Sequence, residues 1–212
     1  MQNRPLAFRL RPKTLDQVVG QSHLVGQNGV IRKMVEAKQY FSLVLYGPPG
    51  IGKTTIANIV ASEFGLNTFT FNASTDSKAS LKDIVYQAKN YNALVIVDEI
   101  HRMKKDIQDY LLPHVEDGTL IIIGLTTNNP YHSVNPAIRS RCHVLKLNSI
   151  SENDLKIFLK SLPNQLPNDL SANFKDEVID YLVRASNREI RTAINMMEIL
   201  NIAYKDETID ID

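Results

Sequence analysis

The stretch LVLYGPPGIGKTTIANIVA, residues 43–61, carries the strongest structural signal in this sequence. A short apolar run is followed by the pattern G-x-x-x-x-G-K-T at residues 47–54, and a helical pattern then extends from residue 53 to residue 64. A glycine-rich loop between a strand and a helix can point successive backbone N–H groups at a polyphosphate, and the helix N-terminus adds partial positive charge. The stretch therefore predicts a phosphate-binding loop in preference to an ordinary Gly/Pro-rich turn.

This loop predicts a nucleotide site that also holds a metal ion. Lys53 is expected to reach the β- and γ-phosphates, and the Thr54 hydroxyl is expected to ligate Mg²⁺. The expected cofactors are therefore ATP and Mg. The residues of the loop predicted to bind the nucleotide are Gly47, Pro48, Pro49, Gly50, Ile51, Gly52, Lys53, Thr54 and Thr55.

A second apolar run, residues 94–97, ends in two carboxylates, Asp98 and Glu99. Such a run is typical of a strand covered on both faces, and ligands of parallel sheets bind beyond the carboxyl ends of the strands. With Mg·ATP at that edge, Asp98 would hold the metal directly or through water. Glu99 would act as general base or would orient the water that attacks the γ-phosphate. The alternative for an isolated pair is a strand that simply reaches solvent.

Apolar runs and helical patterns alternate along residues 1–149, which favours an α/β P-loop domain with a mostly parallel central sheet flanked by helices. From about residue 150 only helical spacing is found, so residues 150–212 are predicted to form a small all-helical lid domain. Pro113 is expected to break or kink the helix in which it lies. Strands are predicted at 42–46, 68–71, 94–97, 120–125 and 143–147, and helices between them at 53–64, 81–90 and 104–112.

Composition restricts the class of protein. The 212 residues are 43% hydrophobic and 22% charged with a net charge of +1, which allows a sizeable core and neither requires nor excludes a nucleic acid partner. No apolar run approaches the roughly 18 residues of a membrane span, so a cytoplasmic protein without membrane contact is expected. The single cysteine, Cys142, is predicted to be a buried structural thiol, and the five histidines lack metal-ligand spacing.

The motifs GPPGIGKTT and VIVDEIHR together resemble those of AAA+ ATPases. Residues 4–26, RPLAFRLRPKTLDQVVGQSHLVG, and 98–130, DEIHRMKKDIQDYLLPHVEDGTLIIIGLTTNNP, more specifically resemble the replication-associated recombination protein A (RarA) family. That family is related to clamp-loader subunits and to the Holliday-junction motor RuvB. The similarity covers about residues 4–204. Members are about twice as long and use a C-terminal part to form tetramers, so the chain is expected to be the N-terminal AAA+ portion.

The resemblance also implies residues that contact the nucleotide from other segments. REIRTAIN resembles the family pattern G-D-A-R-R-A-L-N, which makes Arg191 the sensor 2 residue linking the lid to the γ-phosphate. The sequence departs from the pattern at Arg188 and Glu189, where the family has Gly and Asp. The residues expected to line the adenine pocket, within RPKTLDQVVGQ, are Val18, Val19 and Gly20.

Two further roles follow from the resemblance. LTTNNP matches the sensor 1 position, for which Asn128 is the first candidate and Thr127 the second. Because relatives often read T-T-E-N-P, Asn129 is a third candidate. NPAIRSRC resembles the Ser-Arg-Cys element of clamp-loader subunits, so Arg141 would be an arginine finger for a neighbouring subunit, with Arg139 as its competitor. A surface ion pair is the alternative role for Arg141.

The family implies an oligomeric ATPase that acts on DNA at stalled forks, gaps or single-strand/duplex junctions, with single-stranded-DNA-binding protein and replisome components as possible partners and a nucleoid-associated location. Arg102, Lys104 and Lys105 would follow a DNA backbone or form a solvated surface. A clamp-loader subunit is the first alternative. A nucleotide-gated adaptor with little turnover is the second, against which Glu99 and Arg141 argue. A small-molecule kinase is disfavoured because no arginine-rich lid is present.

Overall fold

A five-stranded parallel sheet forms the centre of the computed structural model, which describes residues 4–88, 93–166 and 169–210. The strand order is β2-β3-β4-β1-β5, and each neighbouring pair runs parallel. The predicted α/β class with a parallel sheet and flanking helices is confirmed. The strands are β1 (Leu43–Tyr46), β2 (Asn67–Asn72), β3 (Ala93–Asp98), β4 (Leu120–Thr126) and β5 (His143–Lys146).

Helices connect these strands and continue beyond them. Most crossovers between parallel strands are helical, as the geometry of such connections requires. The helices are α1 (Leu6–Arg9), α2 (Ser22–Val25), α3 (Val30–Glu36), α4 (Lys53–Phe64), α5 (Lys78–Ala88), α6 (Lys105–Glu116), α7 (Pro130–Ser133), α8 (Pro136–Arg139), α9 (Glu152–Gln165), α10 (Asp176–Ala185) and α11 (Ile190–Ala203). Residues 89–90, predicted as the end of α5, lie outside the described residues.

Both faces of the sheet are buried, which explains why its central strands are apolar without alternation. Successive side chains of a strand point to opposite faces. Leu94 and Ile96 of β3 accordingly join one hydrophobic cluster together with α4, whereas Val95 and Val97 join a second cluster together with α5 and α6. Each helix layer therefore has its own core, and β3 contributes to both.

Pro113 does not break its helix, so the predicted break is wrong, whereas the predicted kink stays a prediction. Helix α6 continues through Pro113 to Glu116. The proline removes one helical hydrogen bond, but Leu111 before it and Val115 after it both pack in the second hydrophobic cluster, which supports the helix on both sides. Its own carbonyl still accepts the backbone N–H of Asp117 at 3.0 Å. The helix also begins one residue later than predicted, at Lys105, after a short 3-10 turn over Ile100–Arg102.

The part of the chain after residue 150 packs around a third hydrophobic cluster formed by α9, α10 and α11. It also contains one parallel pair of two-residue strands, β6 (Asn173–Phe174) and β7 (Thr208–Ile209), which an all-helical description misses because two residues leave no detectable alternation. Helix α1 packs on this part: the Leu6 N–H donates to Glu198 at 2.9 Å, and Arg9 pairs with Asp169 at 2.7 Å. The division into domains at residue 150 stays a prediction.

The turn after β3 is fixed by close packing against β4. Gly124 lies in the fully buried strand β4, and a Cβ at this position would meet the Cδ1 atom of Ile100 at 2.6 Å. Ile100 is itself buried and directly follows Glu99. Because the glycine lets Ile100 approach the strand, the segment bearing Glu99 lies tight against β4.

We expect Gly124→Ala to destabilise the fold by about 1–3 kcal/mol, because the added methyl group overpacks the contact with Ile100. Ile100→Val removes Cδ1 and should cost about 1 kcal/mol by itself. The double variant should be more stable than the sum of the two single effects predicts. Denaturant unfolding of the four proteins measures this coupling, and strictly additive free energies would contradict the proposed contact.

Candidate nucleotide-binding site

The carboxyl ends of three strands meet at one edge of the sheet. Tyr46 of β1 lies beside Thr126 of β4, and Val97 of β3 lies beside Gly124 of the same strand. The segments that follow these strands are the glycine-rich loop, the Asp98-Glu99 pair and the LTTNNP segment. Parallel pairing alone therefore brings the three predicted chemical motifs to the crevice where such sheets bind ligands.

The glycine-rich loop adopts backbone conformations that side chains disfavour. Gly50 and Gly52 have φ values of +72° and +97°, in the left-handed region. Helix α4 begins directly after Gly52, so the unsatisfied N–H groups of its first turn face the loop. The Lys53 ammonium donates to the carbonyl oxygens of Gly47 at 2.9 Å and Pro48 at 2.6 Å. These contacts hold the lysine over the loop.

Asp98 acts electrostatically on Lys53. Burial lowers the pKa of the Lys53 ammonium, and the negative charge of Asp98 counteracts part of that effect. Asp98 itself is exposed at the end of β3, whereas the five preceding residues of that strand are buried. The carboxylate predicted as a metal ligand and the lysine predicted to bind phosphate therefore face the same crevice.

A cleft joins the glycine-rich loop to the N-terminal segment and to the helical part. Of the predicted nucleotide contacts, its lining includes Val18, Val19, Gly50, Ile51, Gly52, Lys53, Thr54, Thr55 and Arg191. The predicted residues that do not line it are Gly20, Gly47, Pro48 and Pro49. The lining residues that sequence analysis missed are Ala7, Leu10, Arg11, Pro12, Phe158, Ile190 and Ile194. Five of them are apolar residues in or next to helices, and their spacing does not reveal which face meets a cleft, while Arg11 and Pro12 belong to a loop without a local signal.

Glu99 occupies a strained backbone position, with φ at +51°. Its carboxylate accepts a hydrogen bond from the Ser74 hydroxyl and forms an ion pair with Arg102 at 3.2 Å. The hydrogen bond from Ser74 is the main reason why the pKa of Glu99 lies below its ordinary value, and the charges of Arg102 and His101 act in the same direction. The carboxylate is therefore ionised at neutral pH, which is the form that a base requires. No sequence signal pointed to Ser74.

The three candidates for sensor 1 have different surroundings. Asn129 caps α7, because its side-chain oxygen accepts the N–H of Tyr131 at 3.0 Å. Asn128 and Thr127 are exposed, and the backbone N–H of Asn128 donates to the Thr126 hydroxyl at 3.0 Å. Thr126 is buried and lies 3.0 Å from Nδ1 of His101. All three candidates are exposed, and the capping hydrogen bond engages the side-chain oxygen of Asn129.

The two arginines of NPAIRSRC lie outside the cleft lining. Arg141 pairs with Glu116 at 2.5 Å and also donates to the Ala137 carbonyl at 2.8 Å. Arg139 donates to the Tyr131 carbonyl at 2.9 Å, and its guanidinium carbon lies 5.1 Å from the centre of the Tyr131 ring. The alternative of a surface ion pair thus describes Arg141 within one chain.

The family described as "Holliday junction DNA helicase RuvB P-loop domain" matches residues 10–135, which is more than half of the chain. The chain belongs to this RuvB P-loop family. Its fold agrees with the Thermotoga maritima RuvB Holliday junction branch migration motor at a TM-score of 0.79 and 24% identity, over 93% of this chain and 68% of that one. At this identity the likeness establishes the fold. A P-loop fold of this family implies nucleotide binding.

The resemblance to the RarA family is confirmed over the N-terminal half of those proteins. Replication-associated recombination protein A of Bacillus subtilis is 36% identical over 96% of this chain and 49% of its own length. The ATPase WRNIP1 of Dictyostelium discoideum is 33% identical over 96% of this chain and 24% of its own length. This RuvB-family chain thus spans about half or less of the relatives that it matches. Among the described residues, no helix is long and apolar enough to cross a membrane.

The departure from the RarA pattern at residue 188 has a conformational explanation. Arg188 has φ at +62°, a left-handed conformation that costs a non-glycine residue about 1–2 kcal/mol. Glycine in the family pattern carries no such penalty. The neighbouring Glu189 packs on the glycine-rich loop, where a Cβ at Gly50 would lie 3.2 Å from its side chain. The loop before Arg191 is therefore in direct contact with the predicted phosphate site.

The oxygen ligands at the site fit magnesium. Thr54 offers a hydroxyl and Asp98 a carboxylate, which are hard donors of the kind that Mg²⁺ prefers. Within residues 4–88, 93–166 and 169–210, no cluster of three or more His, Cys, Asp or Glu side chains could hold a metal. Magnesium bound with substrate phosphates and water needs only one or two protein ligands, so this donor set is sufficient.

We expect Lys53→Ala to weaken ATP binding at least tenfold, because the variant loses a charge-assisted contact to phosphate. Lys82→Ala is the matched control, since Lys82 is an exposed lysine on α5. Titration with a fluorescent ATP analogue measures both affinities. Wild-type affinity in Lys53→Ala would contradict the assignment of the phosphate site.

Proposed function

We propose that this RuvB-family chain binds Mg·ATP and hydrolyses it as part of an oligomeric AAA+ ATPase that acts on DNA. The observation that carries the proposal is the cleft in which the glycine-rich loop, the N-terminal segment and Arg191 of the helical part meet. A site that only held phosphate would need the loop alone. The additional walls support recognition of a complete nucleotide and a response of the helical part to it.

The residues at the strand ends divide the chemistry among themselves. Lys53 binds the β- and γ-phosphates, while Thr54 and Asp98 hold the magnesium ion, which supplies charge neutralisation when bound. Glu99 accepts the proton of the attacking water or orients that water. Its ionised state supports this role. Both contacts of Glu99, from Ser74 and Arg102, use its Oε2 atom, so Oε1 is the oxygen that we assign to the attacking water.

Three other residues complete the proposed site. Asn128 positions the attacking water as sensor 1, with Thr127 as the second candidate. Arg191 connects the helical lid, residues 150–212, to the γ-phosphate of its own chain. Arg141 reaches the nucleotide of a neighbouring subunit and offsets the charge that develops on the transferred phosphoryl group. For this it must exchange Glu116 for that phosphate.

The proposed substrate is DNA with a single-strand/duplex junction, at stalled forks or gaps. The names of the RarA relatives place them in replication-associated recombination. In this chain Arg102, Lys104 and Lys105 are exposed beside the Asp98-Glu99 edge and could neutralise backbone phosphates. The proposed assembly is a homo-oligomer, which is tetrameric in the full-length protein. Its proposed location is the nucleoid, and its proposed partners are single-stranded-DNA-binding protein and the replisome.

A nucleotide-gated adaptor with little turnover is the second candidate. The contacts of Glu99 with Ser74 and Arg102 favour it, because they engage one oxygen of the proposed base elsewhere. A clamp-loader subunit remains the alternative within the same class of ATPase, supported by residues 139–142. The ATPase and the adaptor differ in whether ATP turnover increases when subunits assemble and bind DNA.

The test of the proposal is ATP turnover per protomer, measured over a range of protein concentrations with and without gapped or forked DNA. Specific activity that increases with concentration, and increases again with DNA, is expected if a neighbour completes the site. ATP binding without turnover under every condition, in the full-length protein as well, would support the adaptor instead. If the rate of ATP turnover is the same with and without DNA, DNA is rejected as the substrate.

We expect Arg141→Ala to bind ATP normally but to lose turnover by about 10³-fold or more in the oligomer, because an arginine finger stabilises only the transition state. Arg139→Ala is the matched comparison from the same segment and should keep most of its activity. Steady-state hydrolysis and nucleotide titration give the two quantities separately. Unchanged turnover in Arg141→Ala, or loss in Arg139→Ala instead, would overturn this assignment.

A further inference from the structure

Gln21 combines two features that are unusual for a glutamine. It is 5% exposed and has φ at +57°, a left-handed conformation that is costly for a residue with a side chain. Backbone strain of this kind persists only where the surroundings enforce it, and it commonly marks a functional constraint. Gln21 also directly follows the segment containing Val18 and Val19, which line the cleft.

The amide of Gln21 holds the chain at the point where it leaves the sheet. Its nitrogen donates to the Asn148 carbonyl at 2.7 Å, and its oxygen accepts the Asn148 N–H at 2.9 Å. The side chain thus pairs with both backbone groups of one residue, as a neighbouring strand would. His23 adds a contact of 3.0 Å between its Nε2 atom and the Lys146 carbonyl.

The segment that Gln21 holds, residues 147–150, is here called the connector, since it links β5 to the helical part. Its other side packs on the glycine-rich loop: a Cβ at Gly47 would lie 2.5 Å from the Leu147 carbonyl oxygen. Gly20 lies against Ile150, with an added Cβ 3.8 Å from its Cγ1 atom. The connector is therefore in contact with the glycine-rich loop through Leu147 and with the segment that follows Val18 and Val19 through Asn148 and Ile150.

We propose that Gln21 is a positioning residue that ties the connector to the segment containing Val18 and Val19. Nucleotide binding at that segment thereby fixes the orientation of the helical part and of Arg191. This rests on the proposed nucleotide binding. A ligand that orders residues 18–19 and the glycine-rich loop orders both walls of the connector. Without the clamp, the helical part samples more orientations, and only a fraction of molecules presents Arg191 to the cleft.

Gln21→Gly is the variant that isolates the clamp. Glycine adopts the left-handed backbone without strain, so the substitution removes the amide while the local fold is retained. Lys38→Gly is the matched control, because Lys38 also has a positive φ, +49°, and its side chain is exposed. Gln21→Glu serves as a second variant: it keeps the backbone and the acceptor but loses the donor to the Asn148 carbonyl.

The experiment measures the distance distribution between spin labels at Lys82→Cys and Tyr181→Cys, one on each part, together with ATP affinity. The native thiol is first replaced by Cys142→Ala in all proteins. Gln21→Gly and Gln21→Glu should broaden the distribution without nucleotide and weaken ATP binding about tenfold, because affinity falls with the competent fraction. Lys38→Gly should match the parent in both readouts.

Unchanged distance distributions in both Gln21 variants would overturn the clamp. Broadened distributions with unchanged ATP affinity would also overturn it, because the connector would then not be coupled to the nucleotide. A parent protein that binds no ATP would refute the proposed function itself, and the distributions without nucleotide would still decide whether Gln21 holds the connector. The two proposals therefore fail by different results.

Discussion

Parallel pairing of the five strands is the constraint on which the rest of the structure depends. It requires a crossover between successive paired strands, which places helices on both faces and buries β3 and β4 completely except at Asp98. It also directs every carboxyl end to the same edge. Residues from three segments distant in the sequence therefore meet at one crevice, and a single glycine-rich loop becomes part of a composite site.

Electrostatics at this edge depend on burial as much as on proximity. Desolvation lowers the pKa of Lys53, and the negative charge of Asp98 counteracts part of this effect. A bound polyphosphate and metal ion would replace this mutual compensation with stronger charges of both signs. Glu99 differs because it is solvated and its charge is satisfied by Ser74 and Arg102. The two adjacent carboxylates thus have separate partners before any ligand binds.

The helical part is connected to the site at several places rather than one. Arg191 lines the cleft, Glu189 packs on Gly50, and the connector touches Gly47 at its beginning. Helix α1, from the opposite end of the chain, packs on the same part through Leu6 and Arg9. The structural likeness to RuvB covers 93% of this chain and therefore includes both the sheet and the helical part.

The sequence by itself determined the elements of the sheet and the motifs at their ends. Apolar β-branched runs define buried strands, and the spacing of glycines with Lys53 and Thr54 allows only a narrow set of backbone conformations, so these predictions depend on local physics. Family resemblance placed Val18, Val19 and Arg191, all of which line the cleft. The break expected at Pro113 is absent because the sequence does not show how the residues on both sides of the proline pack.

Only the tertiary structure decided which partners each side chain has. The hydrogen bond from Ser74 to Glu99, the ion pair of Arg141 with Glu116 and the clamp of Gln21 on Asn148 join residues that are 25 or more positions apart. No local pattern encodes such contacts, because they depend on how strands, turns and helices are oriented once packed. The left-handed backbone at Gln21 and Arg188 is equally hidden, since neither residue type prefers that conformation and the surrounding packing imposes it.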